Sequence, residues 1–271
     1  MSRPWRPTPL LTGSALLHAG AAAGLLAAPA HWPWALAAVA ADHALLTAAG
    51  LWPRSHALGP NITRLPAMPA GRAGQERGRV ALTIDDGPDP EVTPRVLDLL
   101  AEHRLKASFF LIGHRAEKHP ALCRAIVAQG HRVENHGYSH SHALSLFGPA
   151  RLAADIARAQ AVLHDASGQP PRFFRPTAGL RNLFLEPVLA RLDLQLASWT
   201  RRGYDTREPH PGRVLQRLVH RLADGDILLL HDGHAARAGD GRPVIEHLIP
   251  LLAQRLAQAG LASVTLHESW P

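Results

Sequence analysis

From residue 79 onward short apolar runs alternate with helical periods, and that alternation restricts the fold more than any other feature of the chain. The strand-like runs cover 80–84, 107–112, 131–135, 172–175, 194–199, 226–231 and 262–266. Helical periods fill most of the intervals, at 91–103, 114–129, 149–166, 182–191, 212–222 and 243–258. Gly130 and Gly260 stand where helices end. Strands separated by helices of this length pair in parallel. Seven of them suit a distorted (β/α) barrel, closed or incomplete, better than a dinucleotide-binding sheet. No GxGxxG follows the first strand, which argues the same way. In a barrel the chemistry sits at the carboxyl ends of the strands.

The first 53 residues are of another kind. Segment 10–29 has no Asp, Glu, Lys or Arg, and segment 34–51 is interrupted only by Asp42 and His43. Each approaches the roughly 20 residues that cross a bilayer. Trp5, Trp32, Trp34 and Trp52 sit at the ends, where interfacial aromatics belong. Both stretches are alanine-rich and only weakly apolar, and Asp42 near mid-span costs about 2.5–3.5 kcal/mol on insertion scales. Gly20 and Gly24, four apart, permit close helix approach. A two-helix membrane hairpin over 1–53 is expected, ahead of a signal peptide cleaved after 28–30 or an interfacial helical pair. Arg3 and Arg6 precede the hairpin, Arg54 and Arg64 follow it, and the link between has no Lys or Arg. The positive-inside rule then puts both ends on the cytoplasmic face of the inner membrane, with an exported domain as the alternative. Residues 54–75, rich in Pro and Gly, read as a linker, and 76–271 as the catalytic domain.

Composition narrows the partners. The net charge is +7, with arginine far outnumbering lysine, which suits an anionic partner such as phosphate or a membrane surface. Without zinc-finger spacing or an aromatic-interleaved basic strip, nucleic acid is not an expected partner. Cys123 is the single cysteine, so no internal disulfide framework exists.

The first strand ends in "VALTIDDGPDP", residues 80–90, where Asp85 and Asp86 stand side by side. Adjacent carboxylates repel, and burying either is unfavourable without a compensating cation. The third strand runs into "ENHGYSHSH", with His136 and His140 four apart, which puts two imidazoles on one face of a helical turn. A zinc-protease pattern would need Glu at 137, and Gly137 stands there. Asp86 with His136 and His140 makes a two-histidine, one-carboxylate set suited to a catalytic divalent metal. One aspartate binds the cation, and the cation tolerates the other.

In order along the chain, "TIDDGP" (83–88), "NHGYSH" (135–140), "FRPTAG" (174–179), "WTRRGYD" (199–205) and "LLH" (229–231) resemble the five motifs of the polysaccharide deacetylases, carbohydrate esterase family 4. The resemblance implies a distorted (β/α) barrel and metal-dependent removal of an N-acetyl group from an amino sugar. It implies Asp86, His136 and His140 as metal ligands, for zinc first, with cobalt, nickel or manganese as alternatives. It implies Asp85 as the general base, Arg175 as the group that orients and charge-balances it, and His231 as the general acid. Asp205 would fix the tautomer of His231 and favour its protonated form. Trp199 and Leu229 would line the acetyl pocket, and a backbone N–H near Ala178 would share the oxyanion.

The chain departs from the family pattern in places. Ile84 stands for the usual Phe, Thr177 and Ala178 for Pro and an aromatic, and Thr206 for a Trp. The aromatic at the third motif normally helps wall the substrate groove, so the reading tilts toward a small, lipid-linked sugar, such as an acylated amino sugar on polyprenyl phosphate, ahead of a cell-envelope polysaccharide. An amidase acting on a non-sugar carbon–nitrogen bond and a non-catalytic carbohydrate-binding domain are the other classes considered. Loop 232–243, with Asp232 and His234, has no readable role.

Overall fold

The computed structural model describes residues 3–67 and 78–270. Helix α1 (Pro9–Ala27) is capped by Thr8, whose hydroxyl accepts the Leu11 N–H, and it stops ahead of Pro29. Helix α2 (Trp32–Leu51) returns beside it. By length and composition both could cross a membrane. No side chain of α1 is buried, whereas α2 buries Asp42, Leu46, Ala49 and Gly50. The hairpin therefore has a base seated on the rest of the protein and a tip bearing exposed Leu25, Leu26, Trp32, Trp34 and Leu36. At the base Leu46 and Ala49 pack with Leu58, Leu10 and Leu11, and Arg3 pairs with Glu186 at 2.6 Å. Asp42, the charge expected to penalise insertion, accepts a 2.7 Å hydrogen bond from the Ser14 hydroxyl across the hairpin.

The rest of the chain is a curled parallel sheet wrapped by helices. After β1 (Gly78–Asp85) come α3 (Val92–Glu102), β2 (Ser108–Leu111), α4 (Gly113–Lys118), α5 (Pro120–Ala128) and β3 (Arg132–Asn135). Helix α6 (Pro149–Ser167), β4 (Phe173–Phe174), α7 (Leu185–Arg191), β5 (Gln195–Leu196) and β6 (Arg201–Arg202) follow. The last elements are α8 (Pro211–Val219), β7 (Ile227–His231), α9 (Val244–Gln258), β8 (Leu261–Val264) and α10 (Leu266–Ser269). Strand order is β5-β4-β3-β2-β1-β7-β6, with β8 pairing the opening half of β1. The central strands are buried on both faces, as parallel strands under helices must be. Phe109, Leu111 and Val133 face a core shared with α3, α5 and α9, while Phe110, Phe173 and Leu229 fill the concave side. Each such side chain stabilises the fold by about 1.5–3 kcal/mol.

The expected barrel is present in incomplete form. β5 and β6 do not pair with each other; residues 61–65 lie across that gap. The Ile62 N–H donates to Leu196 O at 2.9 Å, the Ser198 N–H to Ile62 O at 2.8 Å, and the Leu65 N–H to Gly225 O at 2.8 Å. Residues 54–67, expected as part of a linker, are thus bonded to the sheet; 68–75 lie outside the described residues. Three element expectations change. The helix expected over 114–129 is two, because Pro120 lacks an N–H and His119 before it leaves the helical conformation, at φ −129° and ψ 54°. β6 was not anticipated. Leu266, expected to end a strand, opens α10 behind a Thr265–Glu268 capping box.

Candidate active site

The register of β1 sets the site. Asp85 pairs with Phe110 on β2 and with His231 on β7, so the first carboxylate and the last histidine motif are lateral neighbours at the carboxyl end of the sheet. Arg175, just past β4, is fully buried and points at Asp85: its Nη1 donates to Asp85 Oδ1 at 2.6 Å and to Thr83 Oγ1 at 2.9 Å. Its Nε and Nη2 donate to Ala197 O and Ser198 O, and its guanidinium lies 4.0 Å from the centroid of Phe110. Each of its nitrogens donates in one fixed orientation, which leaves Asp85 Oδ2 on the side of His136, 3.9 Å from its Nε2.

Asp86, at φ 78°, turns the chain so that its Oδ1 meets His136 Nε2 at 3.2 Å and His140 Nε2 at 3.0 Å. These three donor atoms lie within 4.8 Å of one another. The two histidines reach that point by a route the sequence did not suggest. Residues 136–140 form no helical turn: Gly137 takes φ 79°, favoured by glycine, and His140 takes φ 50°. Asp155 holds the loop by accepting the N–H groups of Tyr138 and Ser139 at 3.0 and 3.1 Å. His136 Nδ1 bonds Arg175 O at 2.6 Å, which fixes the ring so that Nε2 is the nitrogen presented to Asp86.

The electrostatics favour a cation. Burial opposes ionisation of Asp86, but hydrogen bonds with His136, His140 and His234 outweigh it and hold the carboxyl far below the usual carboxylate range. Burial would likewise push His136 down, yet Asp85 and Asp86 overcome it and raise the imidazole. Two imidazole nitrogens and a carboxylate oxygen converging on one wall of an open cavity fit a divalent ion with coordination positions left for water and substrate.

Across the cavity Asp205 accepts both the backbone N–H of His231, at 2.7 Å, and its Nδ1, at 2.8 Å. Burial works against a charged His231, but Asp205 first, then Asp85 and Asp86, push it up to about 9. Ala178, at φ 56°, Trp199 and Leu229 line the same cavity of about 240 Å³. Every residue named from the motifs is at this end of the sheet; Arg175 and Asp205 stand behind it as supports.

Sequence reasoning missed two contributors. His234 Nδ1 lies 2.9 Å from Asp86 Oδ2, and its ring stacks on His140 at 5.6 Å between centroids. Arg115 fastens that loop, donating to Asp86 O at 2.9 Å and Gly233 O at 3.3 Å. Asp232, next to it, is buried against the Thr93 hydroxyl at 2.6 Å, and burial, helped by Asp86 and Asp89, pushes it up to about 7. Arg202, on unforeseen β6, is the other contributor to the cavity wall.

Known proteins share this arrangement of chain. The family model for polysaccharide deacetylase matches residues 72–197. A peptidoglycan-N-acetylglucosamine deacetylase of Bacillus cereus is 32% identical over 191 residues, covering 70% of this chain and 86% of that protein. A chitooligosaccharide deacetylase of a Bradyrhizobium species is 36% identical over 156 residues, covering 57% and 71%. Among solved structures, a family 4 carbohydrate esterase from Streptomyces lividans in complex with acetate superposes with a TM-score of 0.63 at 35% identity, covering 69% and 91%.

Proposed function

Since this chain belongs to the polysaccharide deacetylase family, hydrolases of carbohydrate carbon–nitrogen bonds, we propose that its cavity removes the N-acetyl or N-formyl group of an amino sugar with the aid of a divalent metal ion. The observation that carries this reading is the convergence of a supported carboxylate, a supported imidazole and a His–Asp donor triplet on one small cavity. Asp86, His136 and His140 would hold the metal. When bound, such an ion lowers the pKa of water from ~15.7 toward about 7 and polarises a carbonyl oxygen.

The protein's own groups handle the protons. Arg175 occupies Asp85 Oδ1, so Oδ2 is the oxygen that accepts a proton as water attacks the acyl carbon. Asp205 occupies Nδ1 of His231, which leaves Nε2 to deliver a proton to the sugar nitrogen as the carbon–nitrogen bond breaks. The carboxylic acid and a free amine depart, the acid then losing its proton to solvent, and the proton taken by Asp85 balances the one given by His231. A backbone N–H by Ala178 would share the charge on the carbonyl oxygen.

The sugar we favour is N-acetylglucosamine, the unit named in the peptidoglycan deacetylase of Bacillus cereus that this chain resembles. The carrier we favour is a membrane lipid rather than an exported polymer. Three features support this: the cavity is small, its third-motif wall lacks an aromatic, and the hairpin ends at that wall. Pro53 lies so close to Gly179 that a Cβ there would be 2.7 Å from it, and Ser198 Oγ donates to Pro53 O at 2.6 Å. The arginines flanking the hairpin favour the cytoplasmic face of the inner membrane.

The test is release of free amine by the full chain in detergent micelles, after chelation and reloading with zinc, cobalt, nickel or manganese. Chelation should abolish turnover and at least one metal restore it. Asp85→Asn should keep metal binding and lose activity by about 10²- to 10⁴-fold. Turnover indifferent to chelator, or substantial activity in Asp85→Asn, sinks the mechanism.

A further inference from the structure

A second pocket, of about 280 Å³, adjoins the catalytic cavity and shares Trp199 and Arg202 with it. Its far wall is Trp52 and Arg54, the first residues after α2, so it spans the short distance between the acyl site and the end of the hairpin. Its charge is uncompensated. Among the described residues neither Arg54 nor Arg202 has a carboxylate partner, whereas Arg64 and Arg201 share Asp226, and Arg175 holds Asp85. Arg54 is exposed and makes one hydrogen bond, Nη1 to Thr200 O at 3.3 Å. Arg202 is half-buried, lies 5.4 Å from the Trp199 ring centroid and 5.1 Å from that of Tyr204, and its Nε is buried with no acceptor. Two guanidiniums, on separate elements, facing one pocket without a counter-charge repel each other unless an anion joins them.

We propose that this pocket is an anion subsite that receives the phosphoryl group of a glycosyl phosphate whose N-acyl group lies in the catalytic cavity. The inference rests on the deacetylase reading and deepens it by naming what the sugar is attached to. A phosphate carries more than one negative charge and several acceptor oxygens, so it can meet Arg54 and Arg202 together. The order along the groove is acyl site, shared Trp199–Arg202 wall, phosphoryl subsite, then Trp52 at the end of the hairpin. That is the order of parts in a sugar joined through phosphate to a membrane hydrocarbon.

The test is a binding titration on the metal-loaded, full-length Asp85→Asn protein in neutral micelles. The probes are N-acetylglucosamine, N-acetylglucosamine 1-phosphate and N-acetylmuramic acid. The 1-phosphate should bind about tenfold tighter than the neutral sugar or better. Arg54→Gln should erase most of that preference and leave neutral-sugar binding within about twofold, since a mainly exposed charge contributes little elsewhere. Equal binding of phosphate and neutral sugars overturns the subsite. So does equal tightening by the carboxylate of N-acetylmuramic acid, which would make the pocket a general acid-sugar site. A bilayer lipid is the other source of phosphate. If Arg54→Gln weakens binding to phosphatidylglycerol vesicles and spares the sugar-phosphate preference, the arginine reads headgroups and the assignment falls. Amine release by the wild-type chain is measured in parallel. Its absence with every substrate removes the deacetylase reading, whereas the titration answers for the subsite by itself.

Discussion

His136 and His231 are both buried next to carboxylates, yet their surroundings suit opposite tasks. His136 offers Nε2 to the Asp86 carboxylate, whereas His231 has its Nδ1 taken by Asp205 and is held protonated. A general acid acts only while it carries its proton. The rise of His231 from 6.5 to about 9 therefore extends activity upward, and the rate should fall as pH climbs through that range. Asp205→Asn removes the largest raising influence, so the basic limb should move to lower pH and the rate should drop about 10²- to 10⁴-fold. A limb unmoved in the pH–rate profile would take His231 out of the acid role. The same pair affects folding: its contribution is fully present below 6.5 and is lost as pH rises through about 9. His234→Ala should weaken divalent-metal affinity about tenfold, because Asp86 Oδ2 loses its hydrogen-bond partner; calorimetric titration of the metal measures this. At this scale the site was legible wherever residues fall in the ordered motifs, since a strand end fixes direction within a residue or two. His234 was not legible. It sits on an irregular loop, which Arg115, 119 positions away on α4, helps to hold over Asp86.

Helices and strands were readable where burial imposes a period, as in β1, β7 and α6, and less so where backbone geometry decides. Pro120 splits one expected helix into two, and a single non-helical residue before it suffices. β6 is two arginines long and has no apolar signature. It exists because the Arg201–Leu228 and Arg202–Leu229 pairings extend the sheet, and so Arg202 reached the cavity wall unnoticed. The segment 54–67 looked like a linker because it carries Pro and Gly without a clear period, yet four of its residues, Leu58, Gly59, Asn61 and Leu65, are buried. The seat of α2 is equally specific. A Cβ on Gly50 would lie 2.2 Å from Arg181 O, so Gly50→Leu must push the helix off the domain. It should destabilise the protein by about 1–3 kcal/mol in a thermal melt in micelles. An unchanged midpoint would mean that the hairpin base is not seated as described.

Taken whole, the molecule has both ends of its apolar hairpin fastened to one domain, Arg3 through Glu186 and Pro53 through Ser198. Whichever side of a bilayer holds one end must hold the other and the catalytic cavity. A reporter fused after Pro271 that works only in the cytoplasm should be active, in keeping with the charges of Arg3, Arg6, Arg54 and Arg64. Activity only of an external reporter would reverse the side and favour a wall polymer as substrate. The direct run of chain from α2 into the 61–65 seam has a kinetic consequence. An enzyme on a slack tether searches a hemisphere of solution, and its turnover follows bulk concentration. Here the hairpin is bonded into the sheet that lines the cavity, so if it inserts in a bilayer the mouth of that cavity is held at one height and one tilt. Its encounters are then confined to two dimensions. Diluting substrate with inert lipid at constant bulk concentration should slow it, because the quantity it senses is molecules per unit area.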